Sequence, residues 1–238
     1  MATPEQVRGA LSVVTSTAVS DTRSVVAAAA GRAPGEIRAA LFAATPLIVG
    51  DYLDGSSALA LDWYEEIRDA ASPRRRFTPA PLGAVDEEAL AGSIAWATTP
   101  LYDLERNAAK VDDLLEQATH ESMARLEPLV QKGVASGFWD TMTGNSIADP
   151  AATGWQRFAS GGACKFCLML AGRGAVYREA TVNFAAHTSC HCAVGPSFDP
   201  AAPHPSVMQY VASSKTRTPE QQVALREYLN TNYPDAPG

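Results

Sequence analysis

The residues of this sequence with the greatest capacity for metal binding or reaction are four cysteines and a histidine in its last third. The chain has four cysteines in total, and all of them lie within residues 164–192. They occur in two motifs, Cys164-Lys-Phe-Cys167 and His187-Thr-Ser-Cys190-His-Cys192. The turn in a C-x-x-C motif aims both thiolates at one tetrahedral ion, and His187-x-x-Cys190 has the same spacing. The pattern therefore predicts a structural Zn²⁺ site.

The fourth ligand of this site has two candidates. If residues 187–190 form a second knuckle, His187 and Cys190 complete the tetrahedron. If that segment is extended, Cys190 and Cys192 point to the same face, because strand side chains alternate, and His187 lies in the outer shell. Neither arrangement leaves a position for water. The site is then structural, and the free energy of metal binding becomes free energy of folding.

Three other interpretations of the cysteines are open: a redox C-x-x-C, two disulfides, and thiols that only fill space. A redox site favours a strand-to-helix context and no second cysteine pair. Disulfides need an oxidising compartment. The opening Met-Ala-Thr-Pro-Glu-Gln has no basic region leading into an apolar stretch, so we expect a reducing cytoplasm. Four cysteines crowded beside a histidine in that compartment favour zinc.

The remaining histidines offer little for catalysis. His120 and Glu121 begin an H-E-x-x-H pattern, but Ala124 stands where the second histidine belongs. His204 and Ser206 are the one local pair with the residue types of a serine protease, and no G-x-S-x-G motif occurs. We favour a proline-stiffened surface loop for this pair. No catalytic residue is therefore assigned, and we expect a role in assembly rather than catalysis.

Charge and hydropathy exclude two classes of partner. Of the 238 residues, 19 are Lys or Arg and 26 are Asp or Glu, so the net charge is -7. A nucleic-acid site needs clustered cations, and the one compact basic run is Arg74 to Arg76. No window reaches the roughly 18 to 20 apolar residues that a membrane span requires. We expect a soluble globular protein with no specific nucleic-acid site and no membrane segment.

Long helices are expected to position these residues. Thr3-Pro4 and Thr218-Pro219 each open a helix with a capping threonine, a proline in the first turn and a glutamine three residues after the threonine. Apolar residues then recur at helical spacing along most of the N-terminal half. We expect Asp54-Gly55-Ser56 to separate two helices and the longest helix to run from Asp103 to about Gly133.

The amino-acid composition of the sequence changes after Gly137. Glycine and proline become frequent, and short runs such as residues 174–177 suit strands better than helices. The expected fold is mainly α. A helical N-terminal body occupies residues 1–137, a small α+β zinc-knuckle domain occupies 138–212, and a C-terminal helix with a tail occupies 213–238.

Two blocks of the sequence combine into a recognisable pattern. The first block is Ala58-Leu59-x-x-Asp62-Trp63-Tyr64-x-x-Ile67-Arg68. The second begins with Asp149-Pro-Ala-Ala-x-Gly154-Trp155-x-Arg157 and continues through Cys164-x-x-Cys167-x-x-Leu170-Ala-x-Arg173-Gly174-x-Val176-Tyr177 to His187-x-x-Cys190-x-Cys192. Together they resemble the phage Mu F-like minor capsid proteins, also called head morphogenesis proteins, of tailed phages that infect actinobacteria. The cysteine block is the more specific of the two.

This resemblance implies a minor head protein, present in low copy number, that acts near the portal during procapsid assembly. Its partners would be the portal protein and other phage capsid proteins. Its location would be the host cytoplasm during assembly, with the virion head as a further location. Some relatives of similar length are described as capsid maturation proteases, which makes proteolysis of head proteins the alternative function.

Overall fold

The computed structural model describes residues 1–107, 111–160, 162–178, 192–201 and 218–235. These residues form seven α-helices and two β-strands, which confirms the expected mainly α fold. In chain order the elements are α1 (Pro4–Ala28), α2 (Pro34–Ala71), α3 (Glu87–Ala97), α4 (Thr99–Glu105), α5 (Val111–Ala148), β1 (Gly154–Phe158), α6 (Lys165–Ala171), β2 (Ala193–Ser197) and α7 (Pro219–Asn232).

Helices α1, α2 and α5 pack together as the body of the protein. Helix α1 begins with the predicted capping box, because the Gln6 N–H donates to the Thr3 hydroxyl and the Thr3 N–H donates to the Gln6 side chain. These two bonds satisfy backbone donors that a helix start otherwise leaves unpaired. Removing the facing apolar side chains from water supplies most of the free energy that holds the helices together. Fully buried examples are Leu41, Val49, Leu126, Val130 and Val134.

Helix α2 continues through Asp54-Gly55-Ser56, where the sequence predicted an interruption. Ser56 is buried, and its hydroxyl donates to the Val134 carbonyl on α5 at 2.6 Å. Gly137 of α5 approaches this turn so closely that a Cβ there would lie 2.5 Å from the Leu53 carbonyl oxygen. The small polar residues that weaken an isolated helix allow two helices to cross closely here. The predicted interruption was therefore wrong.

Helix α5 (Val111–Ala148) is longer and begins later than expected. The prediction of one helix from Asp103 to about Gly133 was wrong at both ends, because Asp103 belongs to the separate α4. Beyond Gly133, Phe138 and Met142 continue a fully buried face, which maintains the helix despite the rising glycine content. The expected boundary after residue 137 falls inside this helix, and the division into three domains stays a prediction.

The two strands form an antiparallel ribbon against the helical body. Phe158 at the end of β1 pairs with Ala193 at the start of β2. The Phe158 ring meets the Trp63 ring of α2 in a tilted arrangement with centroids 5.8 Å apart. On the outer side of β1, the Trp155 N–H donates to the Tyr177 carbonyl at 2.9 Å. The strand expected at residues 174–177 is therefore a single bridge.

Helix α7 confirms the predicted C-terminal helix. Thr218 caps it with the same box as the first helix, and Lys165 of α6 donates from Nζ to Asn230 Oδ1 on α7 at 2.8 Å. In the described part of the chain, no helix combines the length and apolar character that crossing a membrane requires.

Candidate functional site

The first cysteine pair lies at the start of α6. Cys164 occupies the N-cap position, and Cys167 lies in the first turn. Residues three apart at this point of a helix have neighbouring side chains. Cys164 is partly exposed, whereas Cys167 is 1% exposed. The C-x-x-C motif therefore places two sulfur donors on one side of a helix start rather than in an isolated turn.

A buried arginine contacts the inner cysteine. Arg157 on β1 is 3% exposed, and its Nη1 donates to Cys167 Sγ across 3.8 Å. A guanidinium cannot lose its charge, so its burial requires acceptors that replace water. The Cys167 sulfur is one such acceptor for the Arg157 guanidinium.

Cys192 lies close to the same ribbon, immediately before β2. It is 2% exposed, and its carbonyl accepts a hydrogen bond from Trp139 Nε1 at 2.9 Å. Cys167 and Cys192 belong to one buried cluster, against which Cys164 also packs. No disulfide joins two of these three described cysteines.

The other predicted ligands, His187 and Cys190, lie outside the described residues. Within the described ranges, no three side chains of His, Cys, Asp or Glu come together in a group able to hold a metal ion. Among the described candidates, Cys164 and Cys167 are common to both predicted arrangements, and both offer the sulfur donor that Zn²⁺ prefers. They form half of the predicted donor set, and the choice between His187 and Cys192 stays a prediction.

A stacked aromatic pair ties the cysteine helix to the ribbon. The Trp155 and Tyr177 rings stack with centroids 4.2 Å apart and planes 20° from parallel. The Tyr177 hydroxyl donates to the Leu170 carbonyl of α6 at 3.0 Å. Because Trp155 belongs to β1, these contacts hold α6 and its cysteine beside the strand that carries Arg157.

The sequence did not identify the hydrogen-bond network around Asp149. Arg68 Nε donates to Asp149 Oδ2 at 2.7 Å, and the Tyr64 hydroxyl donates to the same oxygen at 3.2 Å. The Ala151 N–H donates to the other carboxylate oxygen at 2.8 Å. The Asp149 side chain is 0% exposed, and that of Arg68 is 13% exposed. This network joins the two sequence blocks. The only sign of it in the sequence was that the first block contains Arg68 and the second contains the oppositely charged Asp149.

The electrostatics of this network affect Tyr64. Burial, followed by the negative charge of Asp149 and its hydrogen bond, raises the pKa of Tyr64 well above its ordinary value. The phenol therefore stays protonated and remains a hydrogen-bond donor. Arg68 also donates from Nη2 to the Arg75 carbonyl, so the network extends into the loop after α2.

Of the residues considered for catalysis, the structure describes His120. His120 is exposed on α5 and lines a cleft of about 600 Å³, together with apolar residues such as Val26 of α1 and Met123 of α5. Ala124 follows one turn later, without a zinc-binding side chain. His204 and Ser206 lie outside the described residues.

Comparison with known proteins identifies one family. A family model described as VG15 protein matches residues 2–214, which include all described elements except α7. No curated protein matches the chain. No solved structure matches it either.

Proposed function

This chain belongs to the VG15 protein family, a family of phage proteins, and we propose that it is a minor capsid protein acting near the portal in procapsid assembly. The proposal names the portal protein and other phage capsid proteins as partners. Assembly would occur in the host cytoplasm, and the protein would enter the virion head.

The observation that carries this proposal is the junction between the two blocks that resemble minor capsid proteins. Tyr64 and Arg68 come from the first block, and Asp149 opens the second. The ion pair between Arg68 and Asp149 is nearly excluded from water. Buried charges are rarely retained without their partners. Tyr64, Arg68 and Asp149 therefore have a common structural role, which supports treating the two blocks as one pattern.

The proposal includes a structural zinc ion. Cys164, Cys167 and Cys190 would hold it together with His187 or Cys192. In a closed site of this kind, zinc supplies free energy of folding and no chemistry on a substrate. The described thiols support this assignment by their position at one helix start and by the Arg157 contact. A rigid module of this size would present a fixed surface to a head protein, while the helical body offers a second docking surface.

The direct test is co-purification with the portal protein. Cells producing the phage head proteins with a tagged portal would be lysed, and procapsids would be isolated and analysed by mass spectrometry. We expect the chain in the portal fraction and in procapsids at low copy number. Cys164→Ser and Cys167→Ser should reduce its incorporation, whereas Met169→Leu, a conservative change in the same helix, should not. Absence of the wild-type chain from both fractions contradicts the proposal.

A second assay separates assembly from proteolysis. The purified chain would be incubated with the major capsid protein and the products analysed by mass spectrometry. Our proposal expects no cleavage. Trimming that disappears in His204→Ala and Ser206→Ala variants would instead identify a capsid maturation protease.

A further inference from the structure

The contact between Arg157 and Cys167 has a consequence for metal binding. We propose that Arg157 is a positioning residue of the zinc site, which orients the Cys167 sulfur and offsets the negative charge of the ligand set. This inference rests on the zinc site of the proposed function. It assigns a role to a buried cation that lies outside both cysteine motifs.

The charge of the proposed ligand set requires a nearby cation. Zn²⁺ with four thiolates carries about two negative charges, and with three thiolates and one neutral histidine about one. Cys167 lies in a buried, largely apolar cluster, where an uncompensated charge is costly. A guanidinium within hydrogen-bonding reach of a ligand sulfur reduces this cost. It also restricts the directions in which that sulfur can point.

The fold holds Arg157 in place before any metal binds. The β-ribbon pairs Arg157 with Val194, which is fully buried. Two residues earlier on the same strand, Trp155 stacks on Tyr177, and Tyr177 in turn binds the carbonyl of α6. Side chains two apart on a strand share a face. The strand and α6 are therefore held together on the side where Arg157 meets Cys167.

The cation nearest in sequence is engaged elsewhere. Lys165 lies between the two cysteines of the motif, but its Nζ donates to Asn230 on α7. This bond directs the ammonium group toward the C-terminal helix. Arg157, in contrast, donates directly to a cysteine sulfur.

The test compares three substitutions of Arg157 in the full chain. Arg157→Met removes the charge and the donor, Arg157→Gln keeps a donor without charge, and Arg157→Lys keeps the charge. The matched control is Gln156→Met, the preceding residue, whose side chain points to the opposite face of β1. Zinc affinity would be measured by competition with a chromophoric chelator, and folding by circular dichroism.

We expect Arg157→Met and Arg157→Gln to weaken zinc binding by about 10- to 100-fold, the usual effect of removing an outer-shell partner. Arg157→Lys should lie closer to wild type, and Gln156→Met should match it. After cobalt substitution, the sulfur-to-metal charge-transfer absorption should shift in the Met and Gln variants. A residue needed only for packing would not move this band. If Arg157→Met does not fold, the Lys and Gln variants decide the question.

The outcomes distinguish this inference from the proposal on which it rests. Wild-type protein that binds no zinc overturns both the zinc site and the role of Arg157. Wild-type protein that binds zinc, together with Met, Gln and Lys variants of equal affinity and unchanged cobalt spectra, overturns the role of Arg157 alone.

Discussion

At the scale of single residues, the Asp149 carboxylate connects distant parts of the chain. It accepts hydrogen bonds from Arg68 and Tyr64 on α2 and from the Ala151 N–H in its own turn. A buried ion loses its hydration and is tolerated when such partners replace the lost water. Asp149 and Arg68 are 81 positions apart in sequence, so local sequence patterns do not identify the pair.

Removing the charge at position 149 should destabilise the protein strongly. We expect Asp149→Ala to lower the free energy of unfolding by about 3 to 5 kcal/mol, because it leaves a buried arginine without its anion. Replacing both partners, as in Asp149→Leu with Arg68→Met, should cost less than that single change. Urea denaturation measures both effects. Asp62→Asn, at an exposed position of α2, is the control and should change stability by less than about 0.5 kcal/mol.

The raised pKa of Tyr64 predicts a loss of stability at alkaline pH. Burial is the main cause of this shift, and the Asp149 charge adds to it. The neutral phenol is favoured in the folded state, so its contribution is complete below the unfolded pKa of about 10 and declines as pH rises above that value.

The experiment is urea denaturation between neutral pH and about pH 11. Tyr64→Phe should reduce the alkaline decline in unfolding free energy by at most about 1.4 kcal/mol per pH unit, the value for one proton. Tyr228→Phe, at an exposed position of α7, should leave the slope unchanged. Equal slopes for wild type and Tyr64→Phe would contradict the assignment.

At the scale of elements, the crossing of α2 and α5 determines how the body is built. Ser56 binds the α5 backbone through its hydroxyl, and Gly137 allows the two backbones to approach. A glycine in a helix normally costs about 0.5 to 1 kcal/mol relative to alanine. At Gly137 the missing side chain is required, because a Cβ would lie 2.5 Å from the Leu53 carbonyl oxygen and 2.5 Å from the Ser56 hydroxyl, and the Leu53 backbone cannot move aside easily.

Two glycine substitutions should therefore have opposite effects. We expect Gly137→Ala to destabilise the protein by about 1 to 3 kcal/mol through overpacking against α2. Gly9→Ala should stabilise it by about 0.5 to 1 kcal/mol, because no atom lies within 4 Å of a Cβ at this position of α1. Thermal and urea unfolding measure both changes. A Gly137→Ala variant as stable as Gly9→Ala would show that the crossing relaxes easily.

At the scale of the whole molecule, the cysteine helix and the ribbon form a layer against the long helices. Trp63 of α2 contacts Phe158 of the ribbon, and Trp139 of α5 binds the Cys192 carbonyl. The region that would hold zinc therefore shares buried surface with the helical body. The helices have extensive buried contacts of their own, so metal removal should affect the two regions unequally.

Hydrogen exchange measured with and without a zinc chelator should reveal this difference. We expect chelation to remove protection from β1, α6 and β2, because in the proposed zinc site metal-binding free energy would contribute to their folding. Protection in the central turns of α1 and α2 should change little. Cys164→Ser should reproduce the chelator pattern in the absence of chelator. Uniform loss of protection along the chain would contradict the expected division into a helical body and a zinc-binding domain.

The sequence alone determined the helical character of the protein and the presence of two neighbouring sulfur donors. Capping residues act within one turn, so the starts of α1 and α7 were predictable from Thr3 and Thr218. The spacing of Cys164 and Cys167 likewise defines a pair of sulfur donors without any knowledge of the fold.

The tertiary structure decided how helices end and which charges meet. Asp54-Gly55-Ser56 has the composition of a helix break, but the helix continues, because Ser56 and the turn around Leu53 pack closely against α5. Asp149 meets Arg68 because α2 packs against α5, and Arg157 meets Cys167 because α6 packs against β1. Such contacts depend on burial and on the relative placement of elements. Both properties arise when the elements pack together, so local sequence patterns do not contain them.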